Sequence, residues 1–392
     1  MNIRLIGEDE VQDAYYLSAQ AFRCGTRDDN FAVKRQADAD KPDTVGIGVY
    51  DDAGLQTKVM VIAYEEVFED KFVAPMGGIG GVACLPASRG KGYAAAGLKY
   101  ALEVMKDSGQ YLSALYPFSW AFYRTLGWEW VGVQREYKVP AAILKSVPET
   151  ESVREATSAD RPAIAKIYSK YCQRYRGMAA RDLRAWNRLL NHREGNYTYT
   201  YVYEGPSGLE GYLTFSGMDR DSTFINEFIV LNTTAQKALL GLLKRHDMQV
   251  KSFRWNAPDN DQFWSTFYHN DLSTSISTVT QGRVVDVAAA LSALKPGLAV
   301  SGKVAVGITD TAAPWNTGVW QIGVEAGTVT ATQAGSEPDI SLDIQAFTQA
   351  YYGTPSLAAV REHSGVAVSS ERAFALLTDL LDGPPMWLND HF

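Results

Sequence analysis

The residues whose types and spacing are best suited to chemistry lie between Val82 and Ala95. The run reads Val82-Ala83-Cys84-Leu85-Pro86-Ala87-Ser88-Arg89-Gly90-Lys91-Gly92-Tyr93-Ala94-Ala95. The pattern predicts a strand that ends, a turn with two glycines, and a helix that begins. The first amides of a helix point outward without partners, and with the helix dipole they form a site suited to a diphosphate. Gly90 and Gly92 let the backbone approach phosphate oxygens closely, and Arg89 and Lys91 add positive charge. The spacing matches neither GxxxxGK[ST] nor GxGxxG. Taken alone, Arg-Gly-x-Gly suits an ordinary strand–helix turn with solvated basic residues equally well. The strand before it, the amphipathic helix after it and a tyrosine downstream favour the anion site.

That tyrosine is Tyr123, within Phe118-Ser119-Trp120-Ala121-Phe122-Tyr123-Arg124-Thr125-Leu126-Gly127-Trp128. A phenol titrating near 10 can give a proton to a leaving thiolate and then regain one. The chain has 21 tyrosines, so position alone leaves a core aromatic the commoner outcome. Phe118 and Ser119 are counted with the cofactor-binding residues. Cys84 suggests a covalent acyl-enzyme, but it falls in a strand with no His or Asp beside it in sequence and reads better as a small buried residue. Asp28, Asp29, Glu65, Glu66, Glu69, Asp70 and Asp390 are acidic candidates for a substrate pocket, each on its own expected to be a solvated surface charge. Phe22, Phe31, Phe68, Trp120 and Trp387 are candidates for an aromatic wall.

The elements that must position these groups follow from periodicity. Residues 1 to about 145 alternate: strand 3–6, helix 8–22, strands 44–50 and 56–68 about a turn at 51–54, a glycine-rich strand 76–85, helix 92–105, strand 110–116, a short helix 120–126 closed by Gly127, and a final strand 128–139. Residues 140–151 change character and are expected to bridge two domains. Residues 152–284 repeat the order loosely, with helix 159–174, strands 197–203, 211–216 and 224–231, helix 235–245, strand 252–256 and helix 261–267. In this copy Leu231-Asn232-Thr233-Thr234-Ala235 stands where Cys84 to Ala94 stand in the first, without glycines. The pattern predicts a duplicated domain whose second copy lost the cofactor loop. From 285 it changes again: helix 284–294, a meander over 303–309, 318–325 and 328–334, then helices 344–352, 356–362 and 369–381. The expected limits are 1–145, 146–284 and 285–392, in a mixed α+β (α/β) chain.

Composition narrows the class. The 392 residues carry 37 basic and 45 acidic side chains, a net charge of −8, which argues against nucleic acid as a partner. Three scattered cysteines and five scattered histidines have no metal or disulfide spacing, so no metal is expected. The N-terminal residues lack a basic and an apolar signal region, and no apolar run approaches the roughly 20 residues of a membrane span. The expectation is a cytoplasmic protein.

Arg89-Gly90-Lys91-Gly92-Tyr93-Ala94 resembles the Arg/Gln-x-x-Gly-x-Gly/Ala signature of the GNAT N-acetyltransferase superfamily, and Phe122-Tyr123-Arg124-Thr125-Leu126-Gly127-Trp128 resembles its FYxxxGF/Y element. The resemblance implies acetyl-CoA as cosubstrate. Backbone at Val82, Ala83 and Cys84 would pair with the pantetheine arm, loop amides from Gly90 to Ala95 would hold the diphosphate, and Tyr123 would be the general acid. Two such domains before a third resemble the Eis (enhanced intracellular survival) family, whose C-terminal domain is similar to a sterol carrier protein. Pro162 to Tyr168, Gly282 to Val287 and Pro338 to Asp343 carry further likeness. This implies acetylation of amines (aminoglycosides, polyamines or protein lysines) by direct transfer, a homo-oligomer, hexameric in that family, and a base in the carboxylate of Phe392. The apolar tail Met386-Trp387-Leu388, ending in Phe392, is expected to need a pocket. Two competing readings stay open: a lipid or sterol carrier with relic acyltransferase domains, and an enzyme using a larger acyl group.

Overall fold

In the computed structural model, which describes residues 1–23, 25, 43–147, 152–190, 197–266 and 271–391, the first stretch alternates as its periodicity predicts. It comprises β1 (Asn2–Leu5), α1 (Val11–Phe22), β2 (Thr44–Asp51), β3 (Gly54–Phe68), β4 (Phe72–Cys84), α2 (Tyr93–Asp107), β5 (Leu112–Leu115), α3 (Trp120–Arg124) and β6 (Glu129–Trp130). The middle stretch comprises β7 (Gln134–Pro140), β8 (Val153–Glu155), α4 (Arg161–Cys172), β9 (Arg176–Ala179), α5 (Leu183–Leu190), β10 (Tyr199–Gly205), β11 (Gly208–Phe215), β12 (Thr223–Ile225), β13 (Glu227–Val230), α6 (Thr233–Lys244), β14 (Ser252–Pro258) and β15 (Ser273–Ser277). The last comprises β16 (Gln281–Val284), α7 (Val287–Ala293), β17 (Gly302–Thr309), β18 (Gly318–Glu325), β19 (Thr328–Ala334), β20 (Ile340–Asp343), α8 (Ile344–Tyr352), α9 (Leu357–His363), β21 (Ala367–Val368) and α10 (Glu371–Leu381).

The chain forms two compact units. The first holds Met1–Val131, Val279–Pro384 and Asp390–Phe392, and the second holds Gly132–Thr278 and Pro385–Asn389. The first unit contains a sheet in the order β1-β2-β3-β4-β5-β16-β6 and a second in the order β19-β18-β17-β20-β21. The α2 face explains the first sheet's core. Leu98, Ala101, Leu102 and Met105 recur at helical spacing, are fully buried, and pack with Ile47, Val59, Val61, Ile79 and Leu115 from the strands. The second unit has sheets in the orders β13-β11-β10-β8 and β12-β14-β7-β15 around a core that includes Leu239, Leu243, Tyr137, Trp255 and Phe263.

Four expectations are corrected. The strand expected over 128–139 breaks at Gly132, whose φ of +90° is open to glycine but costly for other residues. Its halves are β6, which pairs with β16, and β7, which pairs with β14 and β15. The strand expected over 224–231 divides into β12 and β13, which join different sheets. Residues 140–151 are no plain bridge: Ala141, Ile143, Leu144 and Val147 are buried in the second unit's core, around a 3-10 turn at Ala141–Ser146. The helix expected from 284 starts at Val287, because Gln281–Val284 are taken as a strand between β5 and β6. Among the described residues no helix is long and apolar enough to cross a membrane.

Candidate active site

The site is built where β4 and β5 part. These strands run parallel from Met76 opposite Leu112 to Ile79 opposite Leu115, where β5 ends. Strand β4 continues to Cys84, still paired with β3 on its other side. An extra residue in β4, Gly81 at φ +53°, bulges the strand between the Met60–Gly80 and Lys58–Ala83 pairs. The β5-side edge of Val82, Ala83 and Cys84 therefore has no ladder partner among the described residues. Such an edge can pair with an extended, amide-bearing arm.

The turn after Cys84 is held from below. The Leu85 N–H donates to the Gln56 carbonyl at 2.9 Å, and the buried Ser88 hydroxyl donates to Gln56 Oε1 at 2.6 Å. Arg89, Gly90, Lys91 and Gly92 are exposed. Gly90 and Gly92 have φ of +78° and +82°, and a Cβ on either would meet nothing within 4 Å. Glycine is needed there for backbone conformation, and the space above the turn is open. Gly92 is the N-cap of α2 and offers no side chain to its first amides, so an anion can take them. Tyr93, Ala94 and Ala95 form the first turn, with the Tyr93 hydroxyl donating to Asp51 at 2.9 Å. Gly97 lets α2 approach Val49 and Val59 closely.

The second unit shows the closed form of this junction. There β13 passes into α6 through Asn232, whose side-chain oxygen accepts the Ala235 N–H at 2.8 Å. The helix start is satisfied by its own cap, and the glycine turn is absent.

Tyr123 lies on α3. Ser119 caps that helix, accepting the Phe122 N–H at 3.4 Å, and Phe118 is exposed and stacks on Phe122 at 5.6 Å. The Tyr123 ring meets Phe118, Phe122 and Trp128 edge-on at 5.3, 5.1 and 6.3 Å. Burial pushes its phenol up to about 12. The following turn is fastened by β16. Gln281 Nε2 donates to the Trp120 and Trp128 carbonyls at 3.3 Å each, and the Arg283 guanidinium donates to the Leu126 carbonyl at 2.6 Å. Arg283 is fully buried, and its Nη2 donates to both carboxylate oxygens of Asp310, which also accepts from Asn316 at 2.9 Å. Sequence reading missed these positioning groups. The available signal was a charge standing alone inside the apolar run Gly282-Arg283-Val284-Val285.

Of the remaining candidates, Asp390 reaches the end of β5, with His391 beside it. The Tyr116 hydroxyl donates to the Asp390 carbonyl at 2.7 Å, and its ring lies 4.6 Å from that of His391. Phe392, Asp28, Asp29 and Phe31 lie outside the described residues. Met386, Trp387 and Leu388 are buried in the second unit, where the Trp387 N–H donates to the Arg176 carbonyl at 2.8 Å. Cys84 is half-buried, with Sγ 3.5 Å from the Leu85 carbonyl. Phe68 is in the core, not on a wall, stacked on Phe72 at 5.0 Å; Phe22 is exposed. Glu65 and Asp70 are exposed, and Glu69 pairs with Lys71 at 2.7 Å. Glu66 overturns its expectation of a solvated charge: it is fully buried.

Residues 2–131 match the family description of an acetyltransferase (GNAT) domain, residues 177–284 match a second one, and residues 287–389 match a sterol carrier protein domain. No curated protein matches the chain. Among solved structures, a probable N-acyltransferase from Enterococcus faecalis V583 is similar at 25% identity and TM-score 0.88, with 100% of this chain and 99% of that one covered. A GCN5-related N-acetyltransferase from Anabaena variabilis ATCC 29413 superposes at 18% identity and TM-score 0.86, and Eis1 from Mycobacterium abscessus at 18% and 0.79, each over 100% of both chains. The protein is a GNAT-type acyltransferase with two GNAT domains and a C-terminal sterol-carrier-like domain, sharing the Eis1 fold along its whole length.

Proposed function

We propose that the protein transfers an acetyl group from acetyl-CoA to an amine, directly, with both substrates bound together. One observation carries this: the exposed Gly90–Gly92 turn opens onto a helix start without a side-chain cap, whereas Asn232 closes its counterpart. Acetyl-CoA, when bound, supplies a thioester whose acyl carbon the amine attacks. Amides from Gly90 to Ala95 hold the diphosphate, with Arg89 and Lys91 adding charge. Val82, Ala83 and Cys84 pair with the pantetheine arm, and an N–H of this edge polarises the acyl oxygen. Phe118 and Ser119 shape the thiol end.

Tyr123 protonates the departing sulfur. Its phenol, pushed up to about 12, stays protonated through the neutral range. Complete transfer to a thiolate near 8.5 is uphill from that value, so the proton moves as the carbon–sulfur bond breaks. The Phe392 carboxylate accepts the amine proton, two residues beyond the Asp390 carbonyl that Tyr116 holds. The acceptors we favour are aminoglycosides, polyamines or lysine side chains, met in the cytoplasm by a homo-oligomer.

The test is thiol release from acetyl-CoA with spermidine, an aminoglycoside and a lysine peptide, using wild type, Tyr123→Phe and a chain lacking Phe392. Release that requires an amine and falls by about 10²–10⁴-fold in either variant supports the reading. Acetyl-CoA binding without turnover on any amine favours a carrier.

A further inference from the structure

Strand β3 places Glu66 fully inside the first unit. It stands opposite Ala74, and the same sheet face continues through Met76, Leu112, Ala114 and Gly282. Helix α8 covers this face. A Cβ on Gly282 would lie 2.9 Å from the Tyr352 ring, and the Tyr352 hydroxyl donates to Glu66 Oε2 at 2.8 Å. The other oxygen, Oε1, is buried with no hydrogen-bond partner. Tyr111 and Tyr116, at the two ends of β5, both feel the Glu66 charge, and Tyr116 also feels Tyr64, two residues before Glu66 on the same face of β3. Asp390 and His391 stand against Tyr116. Among the described residues no Lys, Arg or His pairs with Glu66.

Buried polar atoms are nearly always satisfied, and a buried carboxyl without a cation is neutral. Here burial pushes the group up to about 8 despite the Tyr352 hydrogen bond, which pulls the other way. A half-satisfied carboxyl among tyrosines lacks one kind of partner. An ammonium supplies the charge and the donors, and tyrosine rings attract it further.

We propose that Glu66 anchors a non-reacting ammonium group of the amine, making it the residue that favours diamines and polyamines over monoamines. This rests on the acetyltransferase reading above. Occupancy converts the carboxyl to a carboxylate paired with the ammonium, and its proton leaves to solvent. Affinity therefore rises with pH toward about 8 and falls where the amine itself loses its proton, near 10. Burial keeps Tyr111, Tyr116 and Tyr352 neutral over that window, and it holds His391 below its ordinary value, so that imidazole adds no charge there.

The experiment is calorimetry of spermidine and n-butylamine binding to the full chain at about pH 7, in two buffers of different ionisation enthalpy. Wild type is expected to release close to one proton per spermidine. Glu66→Gln should bind spermidine at least ~10-fold more weakly, without that release, while its n-butylamine and acetyl-CoA affinities hold. Glu66→Asp should restore proton release. Equal spermidine affinity in Glu66→Gln, or no proton release in wild type, overturns the proposal. If Glu66→Gln fails to fold, the wild-type proton count decides. Thiol release is scored separately: its absence with every amine removes the acetyltransferase reading, while the spermidine proton count still reports on Glu66.

Discussion

Arg283 grips both carboxylate oxygens of Asp310, at 2.9 and 2.7 Å, in a pair from which solvent is excluded. Its other terminal nitrogen holds the Leu126 carbonyl, just past the helix that carries Tyr123. A Cβ on Gly127 would overlap the guanidinium, so glycine at that position is what lets the charge reach the turn. The sterol-carrier-like domain thus contributes, through Asp310, to holding the turn that follows Tyr123.

Removing one charge of this pair leaves the other buried and uncompensated. Asp310→Asn should cost about 3–5 kcal/mol in denaturant unfolding. The double change Arg283→Met with Asp310→Asn should cost less than the sum of the single changes. Additive losses would show that the two groups do not act as a unit.

Gly92→Val forces a β-branched residue to φ +82° and should cost about 1–2 kcal/mol. Its larger effect should fall on acetyl-CoA, with affinity down at least ~10-fold by calorimetry, since a side chain enters the space proposed for the diphosphate. Asn232→Ala, which removes the cap at the matching junction, should cost about 1 kcal/mol and leave acetyl-CoA affinity unchanged.

Tyr123→Phe should lower kcat by about 10²–10⁴-fold with little change in acetyl-CoA affinity. The acid form is the active one, and its titration is raised from the ordinary 10 to about 12. At saturating amine, the kcat profile should show no loss from this group up to about pH 11, where an ordinary phenol would already have ionised. A decline centred near 10 that disappears in Tyr123→Phe would contradict the burial of this phenol.

Glu66 should make the protein less stable as pH rises. Its folded value of about 8 lies above the unfolded 4.5, so between those limits the folded state binds the extra proton. Unfolding free energy should therefore decline by up to about 1.4 kcal/mol per pH unit across this window, beyond the slope from other groups. Glu66→Gln should remove that contribution, which urea titrations at pH values from about 5 to 8 would show. Parallel slopes in the two proteins would mean that Glu66 is ionised in the folded state.

The turn and the uncapped helix were legible because each is a local matter. Arg-Gly-x-Gly before an amphipathic run specifies backbone that must visit positive φ, and Leu98, Ala101, Leu102 and Met105 announce the buried face of α2 by spacing alone. The absence of the glycine turn from the second copy was legible too, since Asn232 stands where the first copy has glycines.

Long-range pairing was not legible. A helix was expected from Val284, but the gap between β5 and β6 takes Val284 into the strand Gln281–Val284. Glu66 looked like one more surface charge, because nothing near it in sequence reveals that Tyr352, 286 residues away, donates a hydrogen bond to it inside the fold. Sequence by itself determined the glycine turn, the helix that follows it and the order of the domains, the first two of which follow from conformational preferences over a few residues. Tertiary structure alone decided which charges are buried and which side chains brace the turn after Tyr123, because burial and pairing depend on what distant segments bring together.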